Sequence, residues 1–235
     1  GGGDAAAGGG EGAAAAAAGP TGTASIAGIV PFNGTPPTPT PIDMAEEQAC
    51  AAKHSTPPMT REVVVAGGML ANAFVYVKSG LPAGAAYPAP ATPVTVDQNG
   101  CIYSPRVFGV LAGQTIEIRN SDPVLHNIKA VPTANRGFNI SQPTEGMTTN
   151  RTFDTPEVMV PLECNVHGWM NAYVGVMSHP FFAVSGADGS FTITGLPAGT
   201  YEIEAWHETL GTRTATVTVG DGEAGSATFA FGPAA

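Results

Sequence analysis

The chain of 235 residues is 43% hydrophobic and 12% charged, enough apolar material for the core of one large domain or two small ones, and its 31 glycines and 21 prolines imply many turns. A formal net charge of −10 argues against nucleic acid, whose phosphates need a Lys- and Arg-rich face, and suits a basic protein partner through electrostatic steering. No apolar run reaches the length of a membrane span, and the chain opens at glycine without a signal-like segment, so we expect that a signal has been removed or the N-terminus trimmed.

In chain order, residues 1–22 are almost entirely Gly and Ala and bury too little surface to offset chain entropy, which predicts a flexible tether. Such tethers resemble the segment after the lipidated cysteine of bacterial surface lipoproteins, which would imply a membrane anchor at the N-terminus. From residue 23 onward the pattern is of short alternating strands punctuated by turn residues, an all-β sandwich signature. The helical exception is DMAEEQACAA, about ten residues that predict a short surface helix carrying Cys50. Towards the C-terminus Tyr201, Ile203 and Ala205 alternate with Glu202 and Glu204. Ala215, Val217 and Val219 alternate with threonines, and Ala227, Phe229 and Phe231 repeat the pattern.

The residues that carry chemistry are concentrated in two stretches. LECNVHGWM places Cys164, His167 and Met170 at three-residue spacings on one short loop, and NSDPVLHNI supplies His126 from far upstream. One thiolate, two imidazoles and a thioether suit a metal that alternates between Cu(I), which favours soft sulfur, and Cu(II), which favours nitrogen. Structural zinc rarely recruits methionine, and no C-x2-C pair is present. Asn127, next to His126, is able to hydrogen-bond across to the Cys164 loop and hold the two halves of the site together. With Cys164 committed to metal, Cys50 and Cys101 remain as a pair available for a disulfide, which fits an oxidising compartment.

These residues, with GQTIEIRNSDPVLHNI and VPLECNVHGWMNAYVGV around them, resemble the cupredoxin family of the plastocyanin and amicyanin type over roughly residues 92–178. The resemblance implies a Greek-key β-sandwich holding one type 1 copper ion on His126, Cys164, His167 and the axial Met170. It also implies that His167 is a partly exposed electron port, with Trp169 either widening the docking patch or capping the pocket.

AVSGADGSFTITGLPAGTYEIEAWHETLGTRTATVTV resembles a second family, the carboxypeptidase regulatory-like, transthyretin-type sandwich, through its D-G-x-F turn at Asp188, Gly189 and Phe191 and its G-L-P-A-G-T-Y hairpin. That family's opening strands are matched by IAGIVPFNGTPP and LANAFVYV near the N-terminus. The organisation expected is therefore a tether over 1–22, host strands within 23–90, the cupredoxin over 91–178 and the rest of the host over 179–235. The copper domain would be inserted after Val77 and leave near His179, with Ala73–Val77 sharing a sheet with Phe191–Thr194. Two domains in series are the alternative.

His54, expected to be exposed, and His179 and His207, expected near the junction of the sandwiches, stand outside the ligand set. The last two leave open a second metal site. No H-x-H pattern occurs, and multicopper oxidases and copper nitrite reductases need further histidine sets, while a CuA centre needs two cysteines on one loop. The expected function is thus non-enzymatic electron transfer between redox proteins, such as a cytochrome or respiratory complex, in the periplasm or at the cell surface. The alternatives are a structural or assembly module and a copper storage or delivery protein.

Overall fold

The computed structural model describes residues 19–232. Most of the segment read as a tether, residues 1–18, lies outside the described residues. Its last four positions are tied down: Gly22 N–H donates to Gly195 O at 2.8 Å, and Tyr87 Oη donates to Pro20 O at 2.9 Å.

The first elements are β1 (Ala24–Ile29), α1 (Gln48–Ala51), β2 (Val65–Ala66), β3 (Met69–Leu70) and β4 (Phe74–Ser79). Nine strands follow: β5 (Val94–Gln98), β6 (Tyr103–Ser104), β7 (Val107–Leu111), β8 (Ile116–Asn120), β9 (His126–Ala130), β10 (Phe138–Gln142), β11 (Thr148–Arg151), β12 (Glu157–Glu163) and β13 (Asn171–Met177). The chain closes with β14 (Phe182–Val184), β15 (Ser190–Leu196), β16 (Gly199–His207), β17 (Gly211–Val219) and β18 (Ala224–Thr228).

Strands β5 to β13 form two sheets, ordered β10-β9-β12-β13-β7 and β11-β8-β5-β6. Between them lies a core that includes Val96, Ile116, Ile118, Ile128, Val160, Leu162 and Val174. The remaining long strands form a second pair of sheets, ordered β15-β1-β18 and β14-β4-β16-β17. Their core includes Ile26, Val75, Phe191, Ile193, Tyr201, Ile203, Phe229 and Phe231. The C-terminal alternation is therefore realised as expected: Tyr201, Ile203 and Ala205 are buried inside the sandwich, since successive side chains of a strand point to opposite faces.

Strand β4 corrects one expectation. Ala73–Val77 does not share a sheet with Phe191–Thr194; β4 pairs antiparallel with β16 and β14, whereas β15 pairs with β1. The two segments face each other across the core, because Val75 and Val77 bury the same apolar face that Phe191 and Ile193 meet from the opposite sheet. Strand β4 also continues to Ser79, paired with Glu202, two residues beyond the expected crossing point at Val77.

Residues 42–54 correct another. The sequence grouped them with the host strands, but Ile42, Met44 and Cys50 are buried in the core of the central sandwich. The helix within them is one turn, Gln48–Ala51, because Asp43 turns its carboxylate onto Ala45 N–H at 2.9 Å and Glu47 has non-helical angles. An aspartate bonded to the backbone two residues on favours a turn over a helix.

The sandwiches meet through a third apolar cluster of Phe74, Tyr76, Val107, Met159 and Met177. Gly109 and Gly175 stand opposite each other on β7 and β13, and a methyl group on either would lie 2.3 Å from the Phe182 ring or 2.5 Å from the Phe74 ring. The glycine pair forms a flat floor for those two aromatic rings, which stack with centroids 5.5 Å apart. Beside it Arg106 donates Nε and Nη2 to both carboxylate oxygens of Glu208 at 2.6 Å, with both side chains buried. This bidentate geometry is the strongest form of the pair.

Candidate metal centre

His126 is the first residue of β9, and Cys164 is the first residue past β12; these strands are neighbours, with Glu163 opposite Lys129. Residues 164–170 connect β12 to β13. The loop is closed by Cys164 N–H donating to Met170 O at 3.1 Å and Met170 N–H donating to His167 O at 2.9 Å. Two hydrogen bonds from one peptide stretch explain why the three-residue spacings bring Cys164, His167 and Met170 to one place. Asn127 Oδ1 accepts Asn165 N–H at 2.6 Å and ties the β9 side to the loop.

At the centre, His126 Nδ1 and His167 Nδ1 are 3.0 Å apart, and Cys164 Sγ is 3.9 Å from His167 Nδ1. The three donor atoms lie within 4.8 Å of one another and all three residues are buried. Met170 is 1% exposed within the same core. The thiol also accepts His167 N–H at 3.3 Å. Burial would raise the Cys164 pKa, but the bonds from His126 and His167 outweigh it and bring it down to about 5, as expected for a sulfur flanked by imidazoles.

Asp122 was not singled out from sequence. Its Oδ2 lies 2.9 Å from His126 Nε2 and accepts Cys101 N–H at 2.7 Å, while Oδ1 accepts Gly100 N–H at 2.8 Å. Lys53 Nζ adds an ion pair at 3.3 Å. Burial opposes the charge, yet the bonds to His126, Cys101, Gly100 and Lys53 hold Asp122 down to about 2. A carboxylate at Nε2 fixes the proton there and turns the Nδ1 lone pair inward, the usual way a ligating imidazole is oriented. The signal was present in the sequence as an aspartate four residues before the histidine in DPVLH.

Cys50 and Cys101 are disulfide-bonded, with Cα atoms 5.5 Å apart. The bridge lies over the loop histidine, Cys50 Sγ being 3.8 Å from His167 Nε2. Glu47 Oε2 is 3.9 Å from the same nitrogen, and residues 42–54 thus roof the site. His167 is consequently 2% exposed, and the expectation of a partly exposed imidazole port is not met; exposure passes to Val166, at 46%. Trp169 is half-buried, donates Nε1–H to Cys101 O at 2.9 Å and holds its ring 5.3 Å from the His167 ring.

The other histidines are placed elsewhere. His54 is half-buried rather than exposed, because its Nε2 bonds Gly100 O at 2.7 Å. His179 Nε2 bonds Val77 O at 2.8 Å. His207 continues β16 past the Trp206–Phe74 pair, at the other end of β4. Four residues of strand separate the two, about 13 Å, and neither joins a metal-ligand cluster among the described residues.

The described residues thus define an all-β protein of two sandwiches, one of which buries a cluster of two histidines and a cysteine. No family model matches the chain, and no curated protein matches it. Among solved structures it is similar to a Cu-containing nitrite reductase (NirK) from Thermus scotoductus SA-01, at 22% identity and TM-score 0.33, over 43% of this chain and 26% of that one. It is also similar to a purple cupredoxin from Nitrosopumilus maritimus, at 21% identity and TM-score 0.31, over 36% of this chain and 99% of that one. A mutant of amicyanin in the Cu(I) form, with one methionine replaced by alanine, shows 18% identity and TM-score 0.33, over 44% of this chain and 98% of that one.

Proposed function

We propose that the central sandwich holds a mononuclear type 1 copper centre that carries single electrons between redox partners, in which His126, Cys164, His167 and Met170 would hold the ion. The convergence of two imidazole Nδ1 atoms and one sulfur within 4.8 Å in a buried place carries this reading. The donor set fits the ion. Two imidazole Nδ1 atoms face each other at 3.0 Å, and the sulfur beside them adds the soft donor that copper favours. When bound there, copper would supply a one-electron couple.

The chain's own residues do the rest. Asp122 keeps the His126 proton on Nε2, and Asn127 fixes the distance between β9 and the Cys164 loop. The roof formed by residues 42–54 and the Trp169 cap exclude water from His167. Exclusion of water and fixed ligand positions reduce the rearrangement that accompanies electron transfer.

By charge, the partner in this proposal is a basic electron-transfer protein such as a cytochrome or a respiratory complex. The disulfide favours a periplasmic or cell-surface location, with a lipid anchor N-terminal to the sandwiches. We read the organisation as a transthyretin-like host with the copper domain inserted, a reading supported by the pairing of β1 and β4 with strands from the C-terminal end. Loading Cys164→Ser with one equivalent of Cu(II) tests the ligand assignment: the intense visible band should vanish, and a variant that stays blue would contradict it.

A further inference from the structure

Cys50 and Cys101 are fully buried, yet they do more than cross-link strands. Their sulfurs and His167 Nε2 lie within 4.8 Å of one another. The same imidazole turns its Nδ1 towards His126 and Cys164. His167 is therefore a wall shared by two donor clusters. While the disulfide is closed, the outer cluster offers no thiolate. Once it is opened, the cluster becomes two thiolates beside an imidazole nitrogen, a soft set of the kind that selects Cu(I).

The roof that carries Cys50 is held by burial of Ile42, Met44 and Cys50 and by a few side-chain polar contacts: Lys53 on Ser121 O and Asp122, His54 on Gly100 O, and Glu47 3.9 Å from His167 Nε2. Among the described residues, the backbone hydrogen bonds of residues 42–54 run within the segment or to Pro58 and none joins it to the sheets; a segment so connected can open locally without global unfolding, which gives a reductant a route to the buried bridge.

We propose that Cys50 and Cys101, when reduced, form a loading site for Cu(I), from which His167 passes the ion to the Cys164 side, and that re-formation of the disulfide closes the roof behind it. The destination rests on the copper-centre reading above; the binding of Cu(I) by the dithiol does not. The opening step is thiol–disulfide exchange with a dithiol reductant. Its thiolate attacks the Cys50–Cys101 bond, which breaks, and the reductant leaves as its own disulfide. Two electrons and two protons end on Cys50 and Cys101. Binding of Cu(I) releases thiol protons to solvent, and closure reverses the exchange with an oxidised partner disulfide.

The test compares the full chain as purified with the same chain reduced by a water-soluble phosphine, which takes its oxygen from water and is then removed. Both are titrated anaerobically with Cu(I) against a chromogenic Cu(I) chelator. The reduced chain should retain one more equivalent than the oxidised chain, and reduction should add nothing to Cys50→Ser or Cys101→Ser. Wild-type protein that is reduced and then reoxidised before copper is added should return to the oxidised count, a control that needs no variant to fold. Equal copper retention in the reduced and oxidised chains would overturn the proposal, as would a surplus that survives Cys50→Ser. Failure of the copper-centre reading would appear separately, as oxidised protein that stays colourless with Cu(II).

Discussion

The two sandwiches bury different things. The flanking one encloses an apolar interior running from Ile26 and Val75 to Phe229 and Phe231; of its buried polar residues, Ser185 and His179 lie outside the strands, His207 ends β16, and Glu204 alternates with that core's residues and meets Tyr76 and Lys78 instead. The central one buries Gln98, Asn120, Asp122, His126, Gln142 and His167. These form a connected series: Gln98 meets Gln142, Asn120 Nδ2 donates to Gln142 O at 2.9 Å, and Asn120 Oδ1 accepts Asp122 N–H at 2.9 Å. Asp122 then meets His126, and His126 meets His167. The first unit is held by area removed from water. The second gives part of its core to a polar network, whose members are costly to leave unpaired, and has a cross-link beside that network.

The largest effects should come from attacking each unit by its own means of support. Phe229→Ala, in the flanking core, should cost about 4 kcal/mol through lost burial and a cavity. Its signature is a lowered denaturant midpoint with the absorbance of the copper-loaded site unchanged in the folded protein. Cys50→Ala with Cys101→Ala opens a link between residues 51 apart in sequence and should cost about 4 kcal/mol by chain entropy. Unlike the first change, it should raise solvent access at His167, read as faster exchange of the imidazole N–H.

A smaller effect separates the units by pH. His207 is held neutral by burial and by the nearby Arg106, which lower its pKa to about 4. An unfolded histidine titrates at about 6.5, so between these values the unfolded chain binds a proton that the folded chain does not. Stability should therefore fall as pH drops from about 6.5 to about 4, by about 3 kcal/mol in all. His207→Leu should flatten that stretch of the denaturant midpoint profile; a slope unchanged in the variant would assign it to other groups. The smallest change tests the contact between the sandwiches. Gly175→Ala places a methyl against the Phe74 ring and should cost about 2 kcal/mol. Differential scanning calorimetry should then show broadened or split unfolding, whereas a single unshifted transition would mean the rings move aside freely.

The ligand loop was legible because its chemistry is local: Cys164, His167 and Met170 sit within one turn-closed stretch, and His126 announces itself by residue type. The C-terminal strands were legible because alternation survives wherever one face meets a core. Pairing was harder. IAGIV and LANAFVYV read as host strands, but nothing in their pattern distinguishes a neighbour in one sheet from a partner across the core, so β4 was matched to the wrong strand. The roof was not legible at all. DMAEEQACAA has helical composition, but its burial depends on a disulfide to Cys101 in the turn between β5 and β6, and neither that geometry nor the covering of His167 is encoded in local periodicity. Arg106 and Glu208 are likewise far apart in sequence, and only the contact between the sandwiches makes them a pair.

The central claim is that His126, Cys164 and His167 form one copper site. It is tested most directly by adding one equivalent of Cu(II) to the purified oxidised chain and recording visible absorption and electron paramagnetic resonance. The account predicts an intense band at about 600 nm with narrow copper hyperfine splitting, the mark of thiolate-bound copper in a trigonal His2Cys plane. A colourless sample, or one whose copper shows the wide splitting of an all-nitrogen and oxygen site, would contradict it.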